Sequence, residues 1–199
     1  MITIGIDPGI NQKAPGGIAI IKSDGGVTGF VCPKDTLDIY KILLPYKGLA
    51  VVAIEQVGIR HSDLMVAGKV FNIEKMLRHQ QTCISVCEIL EIPVTLIAPM
   101  KWKTHHKLIG ADVSDCIAKA IEEFPQAIDM IYQLSPGGRK KVPYSGIAAA
   151  LLMAGWRRSQ SDEAIDLLAE KKAIAVEKTK VMNSAKTRVR KAQNKLKIS

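Results

Sequence analysis

The sequence predicts a mixed α/β sheet with helices packed on it, and three observations carry that prediction. The element order reads β-β-β-α-β-α-β-α-α, a strand meander passing into strand–helix alternation. The turn Asp24-Gly25-Gly26 between two short apolar runs is a hairpin signal. Two apolar runs, Ile2 to Asp7 and Ala50 to Glu55, each end in an acid.

The elements follow in order. Residues 2–7, 17–22 and 27–31 are apolar or alternating and read as strands, with turns at Pro15-Gly16-Gly17 and at Asp24-Gly25-Gly26. Residues 36–44 show helical spacing through Leu37, Tyr40, Ile42, Leu43 and Leu44. Residues 50–55 form a buried strand. Residues 65–91 form the longest helix, with Val66, Val70, Ile73, Met76, Leu77, Ile84, Cys87 and Leu90 at three- and four-residue steps. Pro93 to Ile97 is a further strand, and residues 112–124 a helix with Ser114 as its expected cap. Residues 126–143 are polar and read as irregular. A small-residue helix follows from Gly146 to Trp156.

Length and composition bound the rest. The chain has 199 residues and is 47% hydrophobic, enough for one domain with a real core plus an appendage. Its apolar runs fall far short of the roughly 20 residues that span a bilayer, and Met1 opens directly into a strand. The expectation is a soluble, cytoplasmic protein with no membrane partner. The net charge of +9 is concentrated at the end: residues 171–199 hold ten basic side chains and one acid, Glu177. A core domain over 1–158 and a basic, helical or disordered appendage over 159–199 are expected.

Cys32, Cys83, Cys87 and Cys116 form no C-x-x-C pair. Cys83 and Cys87 share a helix face, with His79 four residues before Cys83. A zinc site there would need two more ligands, of which His79 could be one, so reduced core thiols are the expected state.

The acids carry the chemistry. A charge at the end of a buried run is costly unless something pairs with it, so Asp7 and Glu55 suggest a shared cation. If strands 2–7, 50–55 and 93–97 are parallel, both acids lie at carboxyl ends, where open α/β sheets place ligands. The bland alternative for Asp7-Pro8-Gly9 is an ordinary turn.

In this order the motifs resemble the RuvC-type Holliday-junction resolvases, in particular their phage-like branch, within the ribonuclease H-like nucleases. They are Asp7-Pro8-Gly9, Gly16-Gly17-Ile18-Ala19, Ile54-Glu55-Gln56-Val57, Pro99 to Lys103, Phe124-Pro125 and Ser145 to Ala154. The likeness covers residues 1–158. It implies a ribonuclease H-like mixed sheet with helices on both faces and a homodimer acting on four-way DNA junctions. The implied activity is divalent-metal-dependent endodeoxyribonuclease cleavage in DNA recombination. Asp7 and Glu55 would be catalytic and metal-binding, holding Mg²⁺ or Mn²⁺. Two such ions about 3.5–4 Å apart can supply a nucleophilic water and stabilise the leaving oxygen. Gly9 would leave room for a phosphate.

The chain departs from the family in the last helix, where a pattern like Asp-Gly-Ile-Ala-Asp is expected. Ser145 and Ala149 occupy the two acid positions. Four apart, both would project from one helix face. Ser145 could cap the helix or act as a weak neutral ligand; Ala149 can do neither. Two carboxylates bind a pair of dications poorly, so inactive or severely impaired cleavage is expected. A non-cutting branched-DNA-binding protein is the alternative.

Candidate DNA contacts are Lys101, Lys103 and Lys107, and Arg139, Lys140 and Lys141 in the loop before the last helix. Their bland reading is solvated surface charge. Phe71 resembles the position from which resolvases wedge an aromatic into the crossover, although a helical Phe is more often core. Trp102 reads as a packed wall residue. His61 reads as a solvated loop residue that could donate a proton, and His105 and His106 as loop residues near the phosphates. The neutral core and 5% aromatic content argue against a base-stacking RNA-binding module.

Overall fold

Isoleucine-rich strands form the centre of the fold, described here from a computed structural model. The structure describes residues 1–9, 15–58, 69–134 and 141–161. The chain divides into two compact units, Met1–Arg158 and Ser159–Ser199, and the sheet lies in the first.

Strands β1 (Ile2–Asp7), β2 (Gly17–Ile21) and β3 (Val27–Val31) form an antiparallel meander. Strands β4 (Ala50–Glu55) and β5 (Val94–Ile97) join in parallel on the other side of β1. The order is β3-β2-β1-β4-β5, which is the mixed α/β sheet that the sequence predicts. Its acid-bearing strands β1 and β4 are hydrogen-bonded neighbours, with Gly5 paired to Ala53 and Ile6 to Ile54.

Period-two alternation sorts the side chains between two cores. Ile4, Ile6, Ile18, Ile20, Val52 and Ile54 are fully buried on one face. They pack there with Ile39 and Leu43 of α1 (Thr36–Leu43) and with Cys83, Val86 and Cys87 of α2 (Lys69–Ile89). Each such side chain contributes roughly 1.5–3 kcal/mol on burial. Ala19, Ala53 and Ile97 belong to the opposite core. That core includes residues of α3 (Pro99–His105), α4 (Val113–Glu123), α5 (Ile128–Ile131) and α6, a helix over residues 145–158. Helices therefore cover both faces.

Backbone contact sets the position of α6. A Cβ on Gly5 would lie 1.9 Å from the Ala150 carbonyl oxygen, and one on Gly17 would lie 2.2 Å from that of Gly146. Gly16 and Gly146 form an isolated parallel bridge. Glycine at these points lets the helix rest directly on β1 and β2.

Several expectations need correction. Asp112, not Ser114, caps α4: its Oδ1 accepts the Ser114 and Asp115 N–H groups at 2.7 and 3.0 Å, and Asp115 returns a bond to the Asp112 N–H. Residues 126–143 are not simply irregular. They include α5 and a two-stranded sheet of β6 (Tyr132–Leu134) and β7 (Lys141–Pro143), with a 3₁₀ turn at Pro125–Ala127 leading in. The segment Pro99–His105, given no secondary structure from sequence, is helical. The start expected for the long helix, residues 65–68, lies outside the described residues. Among the described residues, no helix is long and apolar enough to cross a membrane.

Candidate active site

The same alternation that buries Ile4 and Ile6 toward α2 turns Gly5 and Asp7 toward α6. On β4 it buries Ile54 toward α2 and turns Ala53 and Glu55 the other way. Asp7 and Glu55 thus reach one cavity of about 350 Å³, together with Ser145 and Ala149 of α6. Trp102 and Lys103 of α3 and Asp112 and Cys116 at the start of α4 form further parts of its wall. The sequence reading did not anticipate Asp112 or Cys116 here. The Asp112-x-x-Asp115 spacing signals a helix start, and a helix start opening on the cavity brings both residues to the wall.

Electrostatics marks the pair. The Asp7 carboxyl is pushed up to about 8, first by burial and then by the charge of Glu55. Burial also raises Glu55, against which the Lys103 ammonium and the Trp102 indole act to keep it ionised. Trp102 is 2% exposed, the packed wall residue expected, and its buried indole nitrogen has no partner at strict hydrogen-bond distance. It is nonetheless near enough to favour the Glu55 carboxylate. Two carboxyls raised this way in one cavity are a fit for a hard divalent cation, which would relieve both. Among the described residues, no third acid, histidine or cysteine lies close enough to Asp7 and Glu55 to complete a three-ligand cluster with them.

Ser145 lies inside the first turn of α6 and does not cap it. The residue before it, Tyr144, accepts the Ile147 N–H at 3.0 Å through its carbonyl. Ala149 presents a methyl group one turn along. Gly9 makes no room for a phosphate: a Cβ there would lie 1.9 Å from the Gly16 nitrogen, so the glycine serves the chain's own close approach.

The candidate DNA contacts scatter around this cavity. Lys103 lines it, while Lys101 and Lys107 are exposed on and just beyond α3, Lys107 with φ of 59°. Lys141 pairs with exposed Asp129 at 3.2 Å. Arg139, Lys140 and His61 lie outside the described residues. Phe71 is not core: it is 59% exposed, with the Lys75 ammonium 4.0 Å from its ring centre. His106 lies in the turn just after α3, as a loop residue, but it is buried. It is 4% exposed, with Nδ1 2.8 Å from Glu123 Oε1 and Nε2 2.8 Å from the Leu152 carbonyl oxygen.

No protein-family model and no curated protein matches this chain. Among solved structures it is similar to Thermus thermophilus RuvC in complex with Holliday junction substrate. That match has a TM-score of 0.45 and 14% identity over 77% of this chain and 90% of that one. A second Thermus thermophilus RuvC structure gives 0.41 and 16%, over 77% and 91%.

Proposed function

We propose that this chain binds four-way DNA junctions on a resolvase-type scaffold and that its phosphodiester cleavage is lost or severely impaired. One observation carries the reading: Asp7 and Glu55 share a cavity with Ser145 and Ala149, the positions at which the sequence resemblance calls for acids. The phage-like assignment rests on the sequence motifs alone.

Asp7 and Glu55 would hold one Mg²⁺ or Mn²⁺ ion. When bound, such ions lower the pKa of a water and stabilise the charge on a leaving oxygen. Burial raises the Glu55 carboxyl, and Lys103 partly offsets that in favour of the ligating carboxylate. Buried Trp102 excludes water from that side. Ser145 adds at most a neutral oxygen and Ala149 adds none, so the side chains present suffice for one dication and not for two. Branched DNA would be held by charge on Lys101, Lys103, Lys107, Arg139, Lys140 and Lys141, with Phe71 exposed as a wedge and the basic appendage as a clamp. Exposed Val70 and Leu77, seven residues apart on one side of α2, give it an apolar face suited to a two-fold homodimer.

The test is Ala149→Asp, alone and with Ser145→Asp, assayed for junction cleavage with Mg²⁺ and Mn²⁺. Recovered nicking in either variant supports the reading; junction binding without recovered nicking leaves a branched-DNA-binding protein of other ancestry. Gel shifts against duplex DNA and structured RNA test the substrate class, and light scattering tests the dimer.

A further inference from the structure

A second cluster of ligating atoms lies on the opposite face of the sheet from α6. His79 and Cys83 stand one turn apart on α2, and Cys32 follows β3. The Cys32 sulfur is 3.7 Å from His79 Nε2, and the ligand atoms of all three residues lie within 4.8 Å of one another. Cys83 is 0%, Cys32 5% and His79 9% exposed.

His79 has a hydrogen-bonding problem that its protein neighbours do not solve. Nδ1 lies 2.9 Å from the Gly9 carbonyl oxygen, and Nε2 lies 2.8 Å from that of Pro33. A neutral imidazole has one N–H and satisfies only one of two acceptors. A metal ion on Nε2 resolves this. Nδ1–H then donates to Gly9, the usual arrangement in which a ligating histidine is oriented by its second nitrogen.

We propose that Cys32, His79 and Cys83 bind a thiophilic divalent ion, Zn²⁺ by ligand class. Zinc–sulfur and zinc–nitrogen bonds at a tetrahedral angle put S and N about 3.6 Å apart, close to the separation seen. Sulfur ligands exclude Mg²⁺ and Ca²⁺. The Pro33 carbonyl oxygen, 3.7 Å from the Cys32 sulfur, borders the fourth corner. Binding releases the two thiol protons to solvent as both sulfurs become thiolates. Cys87, one turn beyond Cys83, is not part of the group; the third ligand comes from 47 residues earlier in the chain. The ion ties the Gly9 loop at the end of β1 to the end of β3 and to α2, bracing the segment that carries Asp7.

Full-length protein purified without chelator should contain near-stoichiometric zinc by mass spectrometry. After metal removal, titrated Co²⁺ should give thiolate-to-cobalt charge transfer and tetrahedral visible bands that saturate at one equivalent, whatever further Co²⁺ the carboxylate cavity takes up. Cys32→Ser and Cys83→Ser should each lose the charge-transfer band, while Cys116→Ser, in the carboxylate cavity, keeps it. Zinc removal should lower the melting temperature of the wild type and leave that of Cys32→Ser unmoved. Absence of a sulfur–cobalt band in folded wild type, or its persistence in Cys32→Ser, overturns the site. The wild-type titration stands even if a variant fails to fold, and none of these readouts depends on junction binding or cleavage.

Discussion

Gln80 Oε1 accepts the Val57 N–H at 2.9 Å, two residues beyond Glu55. Its neighbour on α2, His79, meets the Gly9 carbonyl two residues beyond Asp7. Consecutive side chains of one helix thus hold the exits of both acid-bearing strands. Gln80→Leu keeps the bulk and removes the acceptor, leaving the Val57 N–H unpaired. The expected loss is about 1–3 kcal/mol in urea unfolding. A change within error would mean that water replaces the amide.

The contact between β1 and α6 has no room for a side chain. Gly5→Ala puts a methyl group on the Ala150 carbonyl. The expected cost is about 3 kcal/mol or more, since backbone rather than a flexible side chain must yield. Gly58→Ala, with no described residue within 4 Å of an added Cβ, should be near neutral. Thermal melts of the two variants give the comparison, and equal melting temperatures would refute the close approach.

Asp7 makes the metal-free protein lose stability as pH rises from acid toward about 8. Its folded carboxyl sits at about 8 against an ordinary 3.8, so folding favours the protonated form. The contribution is fully present below the ordinary value and is lost as pH rises through the folded one. Without divalent ions, wild type should therefore lose melting temperature between about pH 4 and pH 8 relative to Asp7→Asn. The gap should close when Mg²⁺ is added at pH 8. Parallel pH profiles for the two proteins would contradict the shift.

His106 joins Glu123 of α4 to the Leu152 carbonyl of α6 through its two nitrogens. His106→Ala leaves a buried cavity and removes the ring that bridges the two elements, at an expected cost of about 2–4 kcal/mol. Exposed His105→Ala should stay within about 0.5 kcal/mol. Chemical denaturation of both variants separates the structural histidine from its solvated neighbour.

The strands were legible because each is an apolar run closed by a turn or an acid, a purely local signal. The meeting of Asp7 with Glu55 followed from parallel pairing, and that of Ser145 with Ala149 from a four-residue step. What stayed hidden depended on distance or brevity. Helix Pro99–His105 has seven residues, and β6 and β7 three each, too few for a period to declare itself. The burial of the loop residue His106 stayed hidden because its partner Glu123 stands 17 positions on. The helix cap fell to Asp112 because its oxygen meets three donors, two of them backbone N–H groups and one the Ser114 hydroxyl. Gly9 looked like space for a ligand because a sequence cannot say whose backbone approaches a glycine.

The bare backbone seam of Gly5, Gly16, Gly17 and Gly146 is made without the side chain at position 149. Shape and reactivity are consequently separable traits in this protein. Substitutions at positions 145 and 149 can therefore change the chemistry of the cavity and leave that seam in place.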